Sequence, residues 1–176
     1  MTDIEAKIYP LIAAWTTGEP LIWSNQNAPR PAIPYWTLNS VSEVAIGDNT
    51  YDQGTNDIDQ MFHRGVRESV IQVQRIGEGS TQIIANLREN LARISTRESW
   101  YAENVALFLM GAVNDVPFLL DGNSFEPRAT LDLSIRYGKK QADTLMSIEV
   151  ISADGTYDGA VVPGSLDETV TIVLHP

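Results

Sequence analysis

The stretch FEPRATLDLSIRY, residues 125–137, alternates polar and apolar side chains over its last ten positions. An extended chain sends successive side chains to opposite faces, so Ala129, Leu131, Leu133, Ile135 and Tyr137 share one face and Arg128, Thr130, Asp132, Ser134 and Arg136 the other. The apolar face requires a core. The polar face, with charges alternating in sign, can look at water, at a nucleic acid or at another copy of the chain.

Composition narrows that choice. The 176 residues are 43% apolar and carry a formal charge of −11, enough apolar mass for one core and the wrong sign for gripping phosphate. One domain spanning 1–176 is expected, without a stable hold on nucleic acid or an anionic membrane. Cysteine is absent, which removes disulfides, thiolate nucleophiles and thiolate zinc sites. The opening MTDIEAKIYP has neither the basic start nor the apolar centre of a secretory signal, and no later run has the length of a membrane span, so the chain is expected to stay in the compartment where it is made.

Outward from 125–137, hydrophobic periodicity places the other elements. Ile4, Ile8, Leu11, Ile12 and Trp15 recur at helical spacing after Thr2-Asp3, predicting a helix to about Gly18 that Pro10 kinks or splits. SNQNAPRPAIPYW reads as an extended, proline-rich connector. A strand is expected over 35–46, a long exposed loop or hairpin tip over the acidic 47–60, and a strand over 62–76. Ser80 can cap a helix whose stripe is Ile83, Ile84, Leu87, Leu91 and Ile94, with Arg88, Glu89 and Arg93 off it. TRESWYAEN then leads as a short turn or helix into VALFLMGAVNDV, whose unbroken apolar run predicts a buried strand with a bulge at Gly111. Beyond residue 137, LMSIEVISA and ETVTIVLHP read as further strands. The expected class is α+β, a largely antiparallel sheet of about five or six strands packed against two main helices.

Catalytic and ligand motifs are thin. GEGST at 77–81 joins a strand to a helix, yet Gln82 stands where a dinucleotide fingerprint has its third glycine, and a tight turn accounts for it. DGTYDG at 154–159 copies the front of a calcium loop, but Ser165 occupies the place of the bidentate Glu; an Asp-Gly strand turn is the ordinary reading. His63 and His175 belong to no metal or triad spacing, and no serine sits in a nucleophile elbow. The reading is no enzyme, no cofactor and no metal. Trp15, Trp23, Trp36 and Trp100 divide between core and contact surface, since indole combines apolar area with one donor.

Three segments in order, NQNAPRPAIPYWTL (25–38), NVALFLMGAVNDV (104–116) and FEPRATLDLSIRY (125–137), resemble the tail-terminator or neck-terminator proteins of long-tailed bacteriophages. The carriers are Pro34-Tyr35 ahead of the first strand, Gly111 with Asp115, and Glu126-Pro127-Arg128-Ala129. Trp36, where a small β-branched residue is more usual, and the acidic 47–60 segment depart from the pattern.

The resemblance implies helices on an antiparallel sheet, assembled as a homo-oligomeric ring, usually a hexamer, on the finished tail tube. Such a ring ends tube polymerisation and offers a docking surface to the head or connector, a structural part of the virion assembled in the host cytoplasm. The implied partners are the chain itself, the tail tube protein, a sheath protein where the tail contracts, neck or connector proteins, and DNA only in transit. Tyr35, Trp36, Glu126, Arg128, Asp132 and Arg136 are the expected interface residues. Alternating charges at Arg128, Asp132 and Arg136 suit register-fixing across a subunit boundary; a solvated sheet face has the same pattern. A head-side connector or head-completion ring, and a small ligand-binding α+β domain using its tryptophans, are the alternatives.

Overall fold

The computed structural model describes residues 3–27, 29–53, 60–120 and 124–144. The elements are α1 (Asp3–Ala13), β1 (Leu21–Trp23), β2 (Tyr35–Gln53), β3 (Gln60–Ile76), α2 (Ser80–Leu91), α3 (Ile94–Ala102), β4 (Val105–Asp115), β5 (Phe118–Leu120), β6 (Ser124–Glu126) and β7 (Arg128–Thr144). Five strands form one sheet in the order β1-β2-β3-β7-β4, and β5 pairs with β6 in a second. The class is α+β as expected, with three helices among the described residues where two main ones were expected. The chain divides into two units, one of residues 1–49 and 65–139 and one of residues 50–64 with 140 onward.

Side-chain pairs reveal how the large sheet runs. Ser69 Oγ donates to the Ser42 carbonyl at 2.8 Å and Arg67 Nη1 to Asn49 Oδ1 at 3.0 Å, so β3 runs back as β2 advances. Gln72 with Asp132, and Glu68 with Arg136, establish the same opposition between β3 and β7. β4 is antiparallel to β7, from Val105 opposite Tyr137 to Asp115 opposite Ala129. Only β1 departs: it lies parallel to β2, Leu21 opposite Trp36 and Trp23 opposite Leu38.

The apolar row of β7 is buried as the alternation requires: Ala129, Leu131, Leu133 and Ile135 are fully covered. They join Leu21, Trp23, Trp36, Leu38, Ile71, Val73, Val105 and Leu107 from the other strands, and Ile4, Ile8, Ile12, Ile84, Leu87, Leu91 and Trp100 from the helices, in one cluster. Each buried Val, Leu or Ile side chain among them contributes about 1.5–3 kcal/mol relative to exposure. All three helices therefore supply the same core.

Several expectations change. α1 ends at Ala13 rather than near Gly18, keeping Pro10 inside it on the exposed side, where the missing N–H is cheapest. Ser80 is the first helical residue of α2 and Gly79, at φ 71°, is its cap; the Ser80 hydroxyl instead donates to the Gly77 carbonyl. Ile94 is not on the α2 stripe. The chain breaks at Ala92-Arg93, and Ile94 opens α3 with 77% of its surface exposed.

Of the 47–60 segment, expected as a long loop or hairpin tip, residues 47–53 are strand: β2 continues to Gln53 and β3 begins at Gln60, with residues 54–59 outside the described residues. An antiparallel pair satisfies its backbone whatever the side chains are, so polar composition did not prevent pairing. VALFLMGAVND is likewise not a buried strand. As β4 it lies at the sheet edge, burying Val105 and Leu107 but exposing Phe108 and Leu109. Its register shifts between Leu107 and Leu109 and again between Met110 and Val113, which brackets the expected bulge at Gly111. LMSIEVISA, ETVTIVLHP, DGTYDG and His175 lie outside the described residues.

The 125–137 stretch is divided at Pro127 between β6 and β7, yet one register governs both sides. Asn114 faces Thr130, Asp115 faces Ala129, the Val116 N–H donates to the Arg128 carbonyl, and then Phe118 faces Glu126 and Leu119 faces Phe125. Pro117 and Pro127 fall opposite each other at the node, where neither has an N–H to give. The last rung to β3 is also here, Gly77 N–H to the Pro127 carbonyl at 2.9 Å. β3 ends at Ile76, so β5 and β6 continue past it as a two-stranded arm, with Arg30 of the connector against Glu126 at its base.

Candidate interface on the polar sheet face

Opposite the helices, the polar row of β7 meets the outward side chains of its neighbours. Gln72 Nε2 donates to Asp132 Oδ1 at 3.0 Å, and Gln74 Nε2 to Gln72 Oε1 at 2.6 Å. Arg136 Nε donates to Glu68 Oε2 at 3.1 Å while its guanidinium lies 4.3 Å from the Phe108 ring centre. Arg128 stacks 5.2 Å from the Phe118 ring, and its Nε is buried without an acceptor. The alternating charges thus have partners inside one chain. Exposed pairs of this kind are worth about 0–1 kcal/mol, so they order the face more than they stabilise the fold.

Tyr35 and Glu126 are brought together by a third residue that sequence reasoning missed. Arg30, from the proline-rich connector, donates to the buried Glu126 carboxylate and lies 5.3 Å from the Tyr35 ring centre. That carboxylate holds the Arg30 pKa above its ordinary value. Glu126 Oε2 is buried and unpartnered. A Pro-rich approach with one arginine was the available signal, but its partner lies 96 positions away.

Trp36 points the other way. Adjacent strand residues face opposite sides, so Trp36 lies in the core at 1% exposure while Tyr35 serves the polar face. Trp23 and Trp100 are also in the core, and Trp15 packs against it. Behind Trp36, Arg75 extends the inward row of Ile71 and Val73 and forks onto Glu19, with Nε to Oε2 at 2.9 Å and Nη2 to Oε1 at 2.7 Å. Its Nη1 donates to the Glu78 carbonyl at 3.0 Å, and hydrogen bonding from Arg75 holds the Glu19 carboxyl below its ordinary pKa.

Two other groups titrate away from their usual values. Tyr137 is pushed up, first by burial and then by its hydrogen bond to Glu43, and that same bond is the main reason Glu43 is pulled down. In the second unit, His63 is half-buried with its ring 5.1 Å from Tyr51, and Lys140 Nζ sits 3.5 Å from the Phe62 ring centre. GEGST forms the turn from β3 to α2: Gly77 has φ 130°, and a Cβ there would come within 2.9 Å of Pro34 Cβ. Among the described helices none is long and apolar enough to cross a membrane.

The arrangement is a braced wall of alternating charge, amide and aromatic groups, suited to contact over an area. No curated protein matches the chain. The family model described as phage neck terminator protein matches residues 3–160. The match runs through both units and includes all three segments that carry the resemblance. The chain belongs to the phage neck terminator protein family, whose role is structural, in the tail and neck of the virion.

Proposed function

We propose that the protein closes the tail tube as a homo-oligomeric ring, a hexamer, which ends tube polymerisation and presents the docking surface for the head or connector. The family match over residues 3–160 carries this reading. On it, the chain acts as one domain over 1–176 and works by shape, without turnover. Tyr35, Glu126, Arg128, Asp132 and Arg136 contribute to contacts with neighbouring copies or the tube, and Trp36 supports Tyr35 from beneath. One side of the ring meets the tube protein, and the sheath where the tail contracts; the other meets neck or connector proteins. DNA passes through the lumen only in transit, which the charge of −11 per chain favours because an acidic wall repels phosphate. Six copies bring roughly −66, a self-repulsion that interface burial and cations must offset. Assembly takes place in the host cytoplasm.

Electron microscopy of particles assembled without the protein is the test. Overlong, headless tubes are expected. Tails of normal length beside leaking heads would replace this reading with a head-side connector or head-completion ring.

A further inference from the structure

The β5–β6 arm leaves large apolar side chains in water. Leu119 and Phe125 are cross-strand partners on one face, 48% and 68% exposed; Val116 and Phe118 lie on the other face, 44% and 51% exposed, with Arg128 against Phe118. Apolar side chains clustered on a projecting element mark a contact surface. The same unit contains a counterpart. Between α1 and α3 lies an apolar groove of about 230 Å³ lined by Leu11, Trp15, Thr96, Ser99 and Trp100 among others, room for an aromatic ring, given that a cavity of roughly 150 Å³ accepts benzene.

Hydrogen bonding agrees with that match. Trp100 Nε1, in the groove lining, and Arg97 Nε, on the same helix, are buried donors without an acceptor. A two-stranded arm has outward backbone carbonyls that no third strand uses.

The arm cannot fill its own groove. β4 has eleven residues, roughly 35 Å of extended chain between the end of α3 and the arm. Folding α3 back along β4 recovers about 13 Å, which leaves a gap of some 20 Å.

We infer that the arm of one copy seats Phe125 and Leu119 in the α1–α3 groove of the next, a head-to-tail contact. A patch that meets a different patch on its neighbour makes a ring when the rotation closes. The inference rests on the ring reading and adds its joint.

The chain has no cysteine, so introduced thiols are the only ones present. Ser124→Cys on the arm and Ser99→Cys on the groove, combined in one chain and treated with a short bismaleimide, should give a ladder of multimers. Either substitution alone should give none. Phe125→Asp should abolish the ladder and weaken self-association at least about tenfold, with an unchanged unfolding transition because the side chain is exposed.

Dimers from a single-cysteine variant would mean that like faces meet, and would overturn the joint. So would a ladder that survives Phe125→Asp. A ring by mass photometry that gives no ladder would overturn the joint and leave the ring standing; a monomer at every concentration would overturn both.

Discussion

Removing one side of the Arg75–Glu19 fork should cost different amounts depending on which side goes. The Arg75 side chain is 4% exposed and Glu19 is 21% exposed. Glu19→Ala leaves a buried guanidinium that cannot neutralise itself, and stranding one member of a buried pair costs about 3–5 kcal/mol. Arg75→Met keeps the packing volume and leaves a carboxylate that water can reach or a proton can neutralise, at about 1–3 kcal/mol. The double variant should cost no more than the milder single, since an apolar replacement of both partners is often neutral or stabilising, by about 1–4 kcal/mol.

Urea unfolding followed by tryptophan fluorescence measures all three, with Trp36 a close reporter, its ring centre 5.9 Å from the Arg75 guanidinium. For a chain of this length, 3 kcal/mol corresponds to roughly 6–12 °C in Tm. The pH dependence follows from the same contact. Glu19 has its folded pKa depressed by Arg75, so the stability it contributes is present above the unfolded carboxyl pKa and is lost as pH falls through the folded value. Arg75→Met should flatten that acid limb. If Arg75→Met costs more than Glu19→Ala, or if the two effects add within about 0.5 kcal/mol, the fork is not the coupled buried pair described above.

Gly77→Ala meets both a positive φ and Pro34, so it should cost about 2–4 kcal/mol by denaturant melts; a cost below 1 would mean the turn relaxes freely. Ile94→Ser should change stability by less than about 0.5 kcal/mol, whereas the same change at Leu91 should cost several, and comparing the two melts checks where α2 stops. Arg128→Glu should lose its stacking on Phe118, worth about 0.5–1 kcal/mol, keep its circular dichroism spectrum and impair assembly or tail-length control; tails of wild-type length would remove Arg128 from the contact surface. Thermal melts of the wild type should be level near neutral pH and fall below about pH 4, because Glu19 and Glu43 both have depressed pKa values; a fall that begins near pH 6 would point to another group.

The strands of the central sheet were legible where alternation was strict. Ile71 and Val73 on β3, like the β7 row, face the core because a period of two leaves no other choice. β4 has no alternation, and an apolar run alone cannot distinguish a central strand from an edge. The α2–α3 junction was hidden because Ala92 and Arg93 carry no glycine or proline signal, and helical spacing passes straight through to Ile94. β1 is three residues long and parallel, below what a local pattern can announce. Of the contact residues, Arg128, Asp132 and Arg136 share a face by simple parity. Tyr35 and Trp36 cannot share one for the same reason. Arg30, Glu19 and Glu68 take their roles from partners 56 to 96 positions away, a distance over which local sequence is silent.

A common register on both sides of the Pro117–Pro127 node makes the hairpin a quantised spacer. Adding two residues to each leg beyond the node would advance the tip by about 7 Å and keep Leu119 and Phe125 on their present side. Adding one to each would turn that pair over and show the opposite surface to whatever lies beyond. Relatives that reach farther or less far should therefore differ in this segment by even numbers per leg, with the sheet behind it undisturbed.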